Sequence, residues 1–315
     1  MEKIRVGISS CLLGNPVRYD GGHAHDPHLS NTWGQYMELV PVCPESEAGL
    51  GVPREPMRLV GNGRPPRLVT VNTGRDMTRK IEAWARKRVR ELESEDLWGF
   101  IFKSNSPSCG MARVKEYTGK GSPAKRGVGL FARIFIEHYP LVPCEEETGL
   151  HDPASRENFI ERVFTLGRWR RFLDQGKALI RLVEFHRRHK YLILSHSPRH
   201  YREMEGLINE GRSTRRSEVP GHYGELLMKA LLLKATVRKH ARVLQHMVGL
   251  LKRHMSSQEK EVLADVMKSY SQGLLPLIVP LTLVNHYVEK YDQPHLKEQV
   301  YLRPHPLELK LRNHA

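Results

Sequence analysis

The sequence has few cysteines and no long hydrophobic run, and both absences narrow the class of protein. Four cysteines in 315 residues are too few for a disulfide scaffold, and cytosolic cysteines more often serve metals or catalysis. The longest strongly apolar run, residues 273–284, contains two prolines, whereas a membrane-spanning helix needs roughly 20 apolar residues. No secretory signal is visible at the N-terminus. We therefore expect a cytoplasmic protein without a membrane span.

Positive charge is concentrated in the second half of the chain. Residues 1–150 contain 21 Lys and Arg against 18 Asp and Glu, whereas residues 151–315 contain 29 against 17. The net charges are +3 and +12. A weakly charged half followed by a basic half indicates chemistry in the first and binding of a polyanion such as nucleic acid in the second. A basic surface without a specific partner is the alternative.

The first half alternates strand and helix patterns. Short apolar runs at residues 4–9, 37–42 and 98–102 predict strands, and residues 128–136 predict a fourth. Between the second and third runs, residues 77–95 place apolar side chains at helical spacing. Strands that alternate with helices predict an α/β domain with a mostly parallel sheet.

The composition changes after residue 143, where a glutamate-rich segment follows. We therefore predict a first domain of residues 1–143 and a second, basic, all-α helical domain of residues 144–315. Asp152 and Pro153 predict a helix start. Residues 224–254 place apolar side chains at steps of three and four, which predicts one long helix with a buried face.

Three cysteines lie just beyond three predicted strands. Cys11 follows the first strand, Cys43 ends the second, and Cys109 lies in the loop after the third. The carboxyl ends of parallel strands meet at one edge of a sheet, where ligands bind. These thiols are therefore expected to converge, with a spacing unlike that of zinc fingers, which need close cysteine pairs.

Three thiols without an obvious fourth ligand suit a four-iron cluster with one iron open to substrate, because soft thiolates hold such clusters. The open iron would be a Lewis acid for a soft substrate atom. The alternative is three buried core cysteines, which are common. Cys144 lies beside three glutamates in the apparent linker, and we do not expect it to be a ligand.

The motifs around these cysteines resemble those of the thiouracil desulfidase (TudS-like) family. They are Cys11-Leu12-Leu13-Gly14 with Val17-Arg18-Tyr19-Asp20-Gly21-Gly22, Cys43-Pro44-Glu45, and Ser106-Pro107-Ser108-Cys109-Gly110. The resemblance implies a [4Fe-4S] cluster held by Cys11, Cys43 and Cys109, with a fourth iron that takes the sulfur of a thiocarbonyl base. It also implies that Glu45 and Ser106 are the catalytic carboxylate and hydroxyl.

The second half resembles a helical domain of unknown function that occurs fused to the first. The matching stretches are residues 185–192, 196–198, 244–246 and 276–283. Such fusions are similar to bacterial tRNA 4-thiouridine desulfidases of the RudS type, in which the helical domain assists tRNA binding. The resemblance then covers nearly the whole chain and implies tRNA as the partner.

Each candidate catalytic residue has a simpler explanation beside its functional one. Glu45 is either a general base or proton shuttle for the water that attacks the thiocarbonyl carbon, or a surface carboxylate that caps a helix. Ser106 either hydrogen-bonds the ring or the water, or is a turn residue. Asp20 either orients Arg18 or contacts substrate, or is an ordinary residue of a turn.

Basic residues of the second half are candidates for contact with tRNA phosphates. They form two sets, Arg187, Arg188, Lys190, Arg199 and Arg202, and then Lys234, Arg238 and Arg242 at i, i+4 and i+8 on the predicted long helix. Like charges at that spacing repel, and a phosphate backbone would offset the repulsion and make binding strongly salt dependent. A solvated basic face is the alternative.

Aromatic residues and histidines of the second half have structural explanations as well. Trp169, among arginines, suits the stacking of an unpaired base but equally suits the core. We expect His186, His189, His196 and His246 to be buried, hydrogen-bonded histidines rather than ligands of a second metal.

Three functions follow from these observations. The first is an iron–sulfur enzyme that removes sulfur from 4-thiouridine in tRNA by hydrolysis, giving uridine and sulfide. The second is the same chemistry on free thiouracil or thiouridine nucleotides. The third is a non-enzymatic iron–sulfur protein that senses RNA or sulfide.

Overall fold

The chain divides into two compact units after Asp152. The structure, a computed structural model, describes residues 4–61, 65–118, 122–176, 178–211, 218–309 and 311–313. Across these ranges, no helix has the length and apolar character that crossing a membrane requires.

The first unit combines eight strands with three α-helices over its described residues. In chain order they are β1 (Ile4–Ser9), β2 (Met37–Val42), α1 (Pro44–Glu47), β3 (Met57–Val60), β4 (Arg67–Thr70), α2 (Thr78–Glu91), β5 (Gly99–Phe102), β6 (Val114–Tyr117), β7 (Ala124–Gly127), α3 (Leu130–His138) and β8 (Cys144–Glu146).

The main sheet has the strand order β2-β1-β5-β8, and every neighbouring pair is parallel. Ser9, the last residue of β1, pairs with Val42, the last residue of β2. The carboxyl ends of these strands therefore lie side by side. The prediction of an α/β domain with a mostly parallel sheet is confirmed.

A second sheet, which the sequence did not predict, has the order β4-β3-β6-β7. Its two outer pairs are antiparallel and its central pair, β3 with β6, is parallel. Leu59, Leu68 and Val114 pack from this sheet onto Ile81 of α2 and Leu130 of α3 in one buried cluster. The cluster ties the second sheet to the helices of this unit.

The predicted fourth strand at residues 128–136 is wrong, because this segment forms α3. Phe131 and Phe135, one helical turn apart, pack against Phe100 and Phe102 of β5 with ring centroids 4.6 to 6.0 Å apart. The fourth strand of the main sheet is instead β8, which lies in the segment predicted as a linker. The predicted boundary between residues 143 and 144 thus falls before this strand, nine residues ahead of the observed division.

The second unit is helical throughout its described residues, as predicted. Its helices are α4 (Pro153–Asp174), α5 (Leu179–His196), α6 (Pro198–Glu210), α7 (Val219–Leu232), α8 (Val237–Leu251), α9 (Ser257–Ser271), α10 (Ile278–Lys290) and α11 (Pro294–Lys297). The predicted helix start at Pro153 is confirmed.

The predicted long helix over residues 224–254 is wrong, because the chain breaks between α7 and α8. Leu233 is extended, and the side chain of Thr236 caps α8 by accepting a hydrogen bond from the N–H of Lys239. Leu233 and Val237, which the helical pattern placed on the buried face, are 46% and 40% exposed. Two shorter helices bury their apolar faces separately.

Candidate active site

The three predicted cysteine ligands line one cavity at the carboxyl edge of the main sheet. Cys11 lies in the helical turn that follows β1, Cys43 lies between β2 and α1, and Cys109 lies in the loop after β5. The cavity has a volume of about 440 Å³, and Glu45 and Ser106 line it too. The structure therefore brings all five predicted residues of the first unit together, and their roles remain predictions.

Burial and nearby acidic groups raise the pKa values of the Cys11 and Cys109 thiols. Burial, then the nearby Cys43, raises the pKa of Cys11 to about 11. Burial raises the pKa of Cys109 well above its ordinary value, and Glu45, Cys11 and Cys43 add to this effect. Thiolates at Cys11 and Cys109 therefore require compensating positive charge.

The carboxylate of Glu45 is held at both oxygens. Arg54 lies 2.6 Å from Oε2, and Ser108 donates its hydroxyl to Oε1 at 2.8 Å. The side chains of Arg54 and Glu45 are 7% and 14% exposed. The helix-capping role belongs instead to Glu47, which accepts a hydrogen bond from the N–H of Cys43. Glu45 is thus a fixed hydrogen-bond acceptor on the cavity wall.

Arg54 also ties the wall of the cavity together. Its guanidinium donates to the carbonyl oxygens of Gly51 and Val17 at 2.8 and 2.9 Å, besides the bond to Glu45. The sequence did not single out Arg54, since its contacts arise only when the loop after α1 folds back. Ser108 belongs to the motif that contains Cys109, but its contact with Glu45 is evident only from the structure.

Ser106 has the role of a turn residue and also faces the cavity. Its hydroxyl oxygen accepts hydrogen bonds from the N–H groups of Ser108 and Cys109 at 3.3 and 3.1 Å. These bonds fix the backbone that carries Cys109. A catalytic role for Ser106 is compatible with this placement and remains a prediction.

A second cation of the cavity, Lys103, is paired with a carboxylate that the sequence did not single out. Lys103 donates to Glu147, which also accepts hydrogen bonds from the N–H and hydroxyl groups of Ser104 at 2.6 and 2.7 Å. The ion pair with Glu147 largely neutralises the charge that Lys103 could offer to a substrate. Cys144 lies on β8 opposite Phe100 and is not among the residues that line the cavity.

The predicted basic residues of the helical unit differ in how freely they can bind a partner. Arg187 is engaged by Glu184 and Glu298, and Arg199 pairs with Glu203 at 2.7 Å. Lys190 lies over the ring of Tyr191. Arg188 and Arg202 are exposed.

The predicted basic ladder on one helix is wrong. Lys234 lies in the break between α7 and α8, where its amino group donates to the hydroxyl of Ser155 at 2.6 Å. Arg238 and Arg242 are exposed and lie one turn apart on α8. The ladder is thus reduced to these two residues.

Trp169 and three of the histidines are buried. Trp169 stacks on Phe172 and Tyr223 in the core. His186 shares a hydrogen bond with the hydroxyl of Tyr223, and His189 with the carbonyl oxygen of Phe185. His196 lies between Glu161 and the carbonyl oxygen of Leu233, whereas His246 is exposed and contacts Tyr191.

Sequence comparisons identify the family of each unit. The profile of the 2-thiouracil desulfurase family matches residues 6–147. The protein YbbK of Bacillus subtilis (strain 168), described as uncharacterized, is 32% identical over an alignment of 131 positions, which covers 37% of this chain and 85% of YbbK. The chain belongs to the 2-thiouracil desulfurase family. The profile of DUF1722, a family of proteins of unknown function, matches residues 190–306.

Two further relatives each align with about half of this chain. The protein YbgA of Escherichia coli (strain K12), described as uncharacterized, is 29% identical over an alignment of 155 positions, which covers 48% of this chain and 90% of YbgA. A solved structure of the [4Fe-4S]-dependent thiouracil desulfidase TudS is 27% identical, with a TM-score of 0.40, and covers 48% of this chain and 95% of that one. The predicted resemblance, a desulfidase domain followed by a helical domain of unknown function, is confirmed by the two family profiles.

Proposed function

We propose that the chain removes sulfur from 4-thiouridine in tRNA by hydrolysis. The observation that carries the proposal is the cavity lined by Cys11, Cys43 and Cys109 together with the fixed carboxylate of Glu45. In the reaction, water supplies the oxygen of the new carbonyl group, and its two protons leave with the sulfur as hydrogen sulfide. No oxidant or reductant is needed.

A [4Fe-4S] cluster, held by Cys11, Cys43 and Cys109, fits this donor set. The cysteines are free thiols, and positively charged metal compensates thiolates that burial otherwise disfavours. Within the described ranges, no three His, Cys, Asp or Glu side chains are grouped as ligands of a single ion, and a cluster spreads its ligands more widely than one ion does. When bound, the cluster supplies an iron without a protein ligand, a Lewis acid for the thiocarbonyl sulfur.

Glu45 activates the water, and the residues around it fix its position. Arg54 contacts Oε2 through both Nε at 2.8 Å and Nη2 at 2.6 Å. Ser108 occupies one lone pair on Oε1, so Oε1 can still accept one further hydrogen bond. The attacking water donates that bond and passes a proton to Glu45. The hydroxyl oxygen of Ser106 accepts two backbone N–H groups, so its hydrogen can donate to the pyrimidine ring.

A groove in the helical unit supports tRNA as the partner. Its volume is about 570 Å³, and it is lined by Arg168, Arg171, Arg181 and Arg188. Among its described lining residues, Glu184 is the one carboxylate, and Arg187 engages it. Guanidinium groups match phosphate geometry, and such a basic groove attracts a polyanion.

Charge reversal in this groove tests the tRNA partner. The double variant Arg181→Glu/Arg188→Glu is expected to lower kcat/KM for tRNA that contains 4-thiouridine about tenfold or more and to flatten its salt dependence. Lys252→Glu/Arg253→Glu, which changes the net charge equally at exposed positions outside the groove, is the control. An equal loss on tRNA and on the free nucleoside would contradict a tRNA-binding role for the groove.

Free thiouracil or a thiouridine nucleotide is the second candidate substrate. Every described residue that lines the cysteine cavity belongs to the first unit, so residues of this unit suffice to surround a small substrate. Two results together would favour this candidate. The free base would still be turned over at a salt concentration at which tRNA is no longer bound, and tRNA would not be turned over at low salt.

A further inference from the structure

The solvent face of the second sheet carries three cations side by side. β3 and β6 are parallel, and Leu59 pairs with Glu116. Arg58 therefore lies beside Lys115, one residue earlier on each strand, and Lys115 pairs with Lys125 of β7. These three residues form a basic row that spans about 10 Å, since neighbouring strands are about 4.8 Å apart. Like charges directly opposite each other destabilise a sheet, so the row is unfavourable in the free protein.

Within the described residues, no carboxylate pairs with a cation of the basic row. Side chains alternate between the two faces of a sheet, and the opposite face of this sheet packs into the core. Glu116 lies on that core face, where it is buried and binds Arg126 at 3.2 Å. Asp76, which bridges to the outer strand β4, pairs with Arg67 instead. The charge of the row is therefore available to an anion from outside the protein.

Protection of a sheet edge explains only part of the basic row. Lysines on edge strands prevent unwanted pairing with other chains, and β7 is an edge strand of this sheet. Edge protection therefore accounts for Lys125. β3 and β6, however, are the two central strands, where no edge needs protection. Arg58 and Lys115 require a different explanation, and an anionic partner supplies one.

The basic row lies next to the cysteine cavity in the chain and has an aromatic ring beside it. Pro56 and Met57, which immediately precede Arg58, line the cavity, and β6 begins five residues after Cys109. The guanidinium of Arg58 lies over the ring of Tyr117, 5.1 Å from its centroid, and Tyr117 is partly exposed. An aromatic ring among cations is typical of surfaces that bind RNA, because bases stack on the ring while cations meet the backbone.

We propose that the basic row, Arg58, Lys115 and Lys125, binds the phosphate backbone of RNA beside the cysteine cavity. The inference rests on the proposed function. It adds an RNA contact on the first unit, outside both the cavity and the arginine-lined groove of the helical unit. The three cations displace counterions from the phosphodiesters, which favours binding and makes it salt dependent. None of the three lines the cavity, so their charge acts on the backbone of the RNA rather than on the reacting base.

The test measures the Kd of tRNA without 4-thiouridine, which cannot be turned over, for the cluster-loaded, full-length protein across a salt series. Lys115→Gln/Lys125→Gln, at two exposed lysines, is expected to raise the Kd about tenfold at low salt. The slope of log Kd against log salt should fall by about 2, because two phosphate contacts are lost. Lys80→Gln/Lys87→Gln, which removes the same charge at exposed lysines of α2, should change neither. A Kd and a slope that Lys115→Gln/Lys125→Gln leaves at wild-type values would overturn the proposal.

Two further measurements separate this surface from the proposed function and from other partners. If wild type binds thiolated tRNA without desulfurating it, the proposed function fails, and the Kd values still decide whether the basic row binds RNA. If it is turned over, Lys115→Gln/Lys125→Gln should lower the ratio of kcat/KM for thiolated tRNA to that for free 4-thiouridine about tenfold, and an unchanged ratio would contradict the proposal. Loss of binding to vesicles of phosphatidylcholine and phosphatidylserine, with tRNA binding intact, would assign the row to a membrane surface and overturn RNA as its partner.

Discussion

At the scale of single residues, the ion pair between Arg54 and Glu45 is the feature that organises the cavity. Both side chains are largely buried, and Arg54 also bonds to the carbonyl oxygens of Val17 and Gly51. One guanidinium therefore joins the carboxylate to two loops of the wall. Sequence reasoning missed Arg54, because nothing in its local pattern shows which carboxylate it meets after folding.

Arg54→Ala is expected to destabilise the first unit by about 3 kcal/mol, since it leaves a largely buried carboxylate without its cation. It should also lower the turnover of free and phosphate-bearing substrates alike, at least tenfold, because Glu45 loses its position. Urea unfolding and steady-state kinetics measure both effects. Arg67→Ala, which removes a largely exposed pair with Asp76, should cost less than about 1 kcal/mol. Wild-type stability of Arg54→Ala would contradict this account of the cavity.

Much of the candidate site was predictable at this scale, and the reason is geometric. Cys11, Cys43 and Cys109 each follow a strand of one parallel sheet, so the topology brings them to one edge. Glu45 and Ser106 lie within three residues of a cysteine and therefore come with it. Contacts across loops, such as those of Arg54, carry no periodic pattern, and only the folded structure reveals them.

At the scale of elements, the loop that carries Cys109 rests directly on the start of α3. A Cβ atom on Gly129 would lie 2.6 Å from the carbonyl carbon and oxygen of Ser108 and 2.8 Å from the nitrogen of Cys109. The N–H of Gly129 donates to the carbonyl oxygen of Gly110 at 2.7 Å. This close approach of two backbones positions Cys109, and it requires glycine.

Gly129→Ala is expected to separate α3 from this loop, to destabilise the first unit by about 1–3 kcal/mol and to lower the iron bound per chain. Iron and sulfide determination after reconstitution, together with urea unfolding, measures both effects. Gly34→Ala is the matched control, since its Cβ atom would meet nothing within 4 Å. Full iron content in Gly129→Ala would show that the position of Cys109 does not depend on this contact.

Strands and helices were predicted correctly where the apolar pattern fitted only one type of element. They were predicted wrongly where the same pattern fitted two. The strand at Met37–Val42 was predicted at its observed bounds. The apolar segment that forms α3 was read as a strand because short apolar runs suit either element. The helical spacing of apolar residues continues from α7 into α8 without interruption. The N-cap residue Thr236 is the sequence feature that marks the break between the two helices.

At the scale of the whole molecule, neutral buried histidines make the helical unit sensitive to acid. Burial, and then the charge of Lys190, lowers the pKa of His186 to about 4. Burial likewise lowers the pKa of His305 to about 4. Because the unfolded histidine titrates near 6.5, the unfolded chain binds more protons between these values. The stability from neutral histidine is present above about pH 6.5 and is lost as the pH falls toward 4.

His186→Gln is expected to have a lower free energy of unfolding than wild type at pH 7, and this difference is expected to decrease as the pH falls. The difference in free energy of unfolding should shrink by up to about 3 kcal/mol between pH 7 and pH 4. Urea unfolding at a series of pH values, followed by helical circular dichroism, measures it. His222→Gln, at an exposed histidine, should run parallel to wild type. A parallel course for His186→Gln would show that the folded unit does not hold His186 neutral.

The distribution of charge over the two halves matches the proposed division of labour. The half with a net charge of +3 contains the cysteine cavity, and the half with +12 contains the arginine-lined groove. Composition suggested this division, which remains a proposal. It did not predict which basic residues are free, because partners such as Glu184 and Glu298 are assigned only by folding.

The central claim is tested most directly by mixing cluster-reconstituted protein, without oxygen, with tRNA that contains 4-thiouridine. The account predicts that the thiocarbonyl absorption band disappears, that one sulfide is released per thiocarbonyl lost, and that Cys109→Ala abolishes both. A band that persists while iron content and tRNA binding are intact would contradict the claim that this cavity desulfurates tRNA.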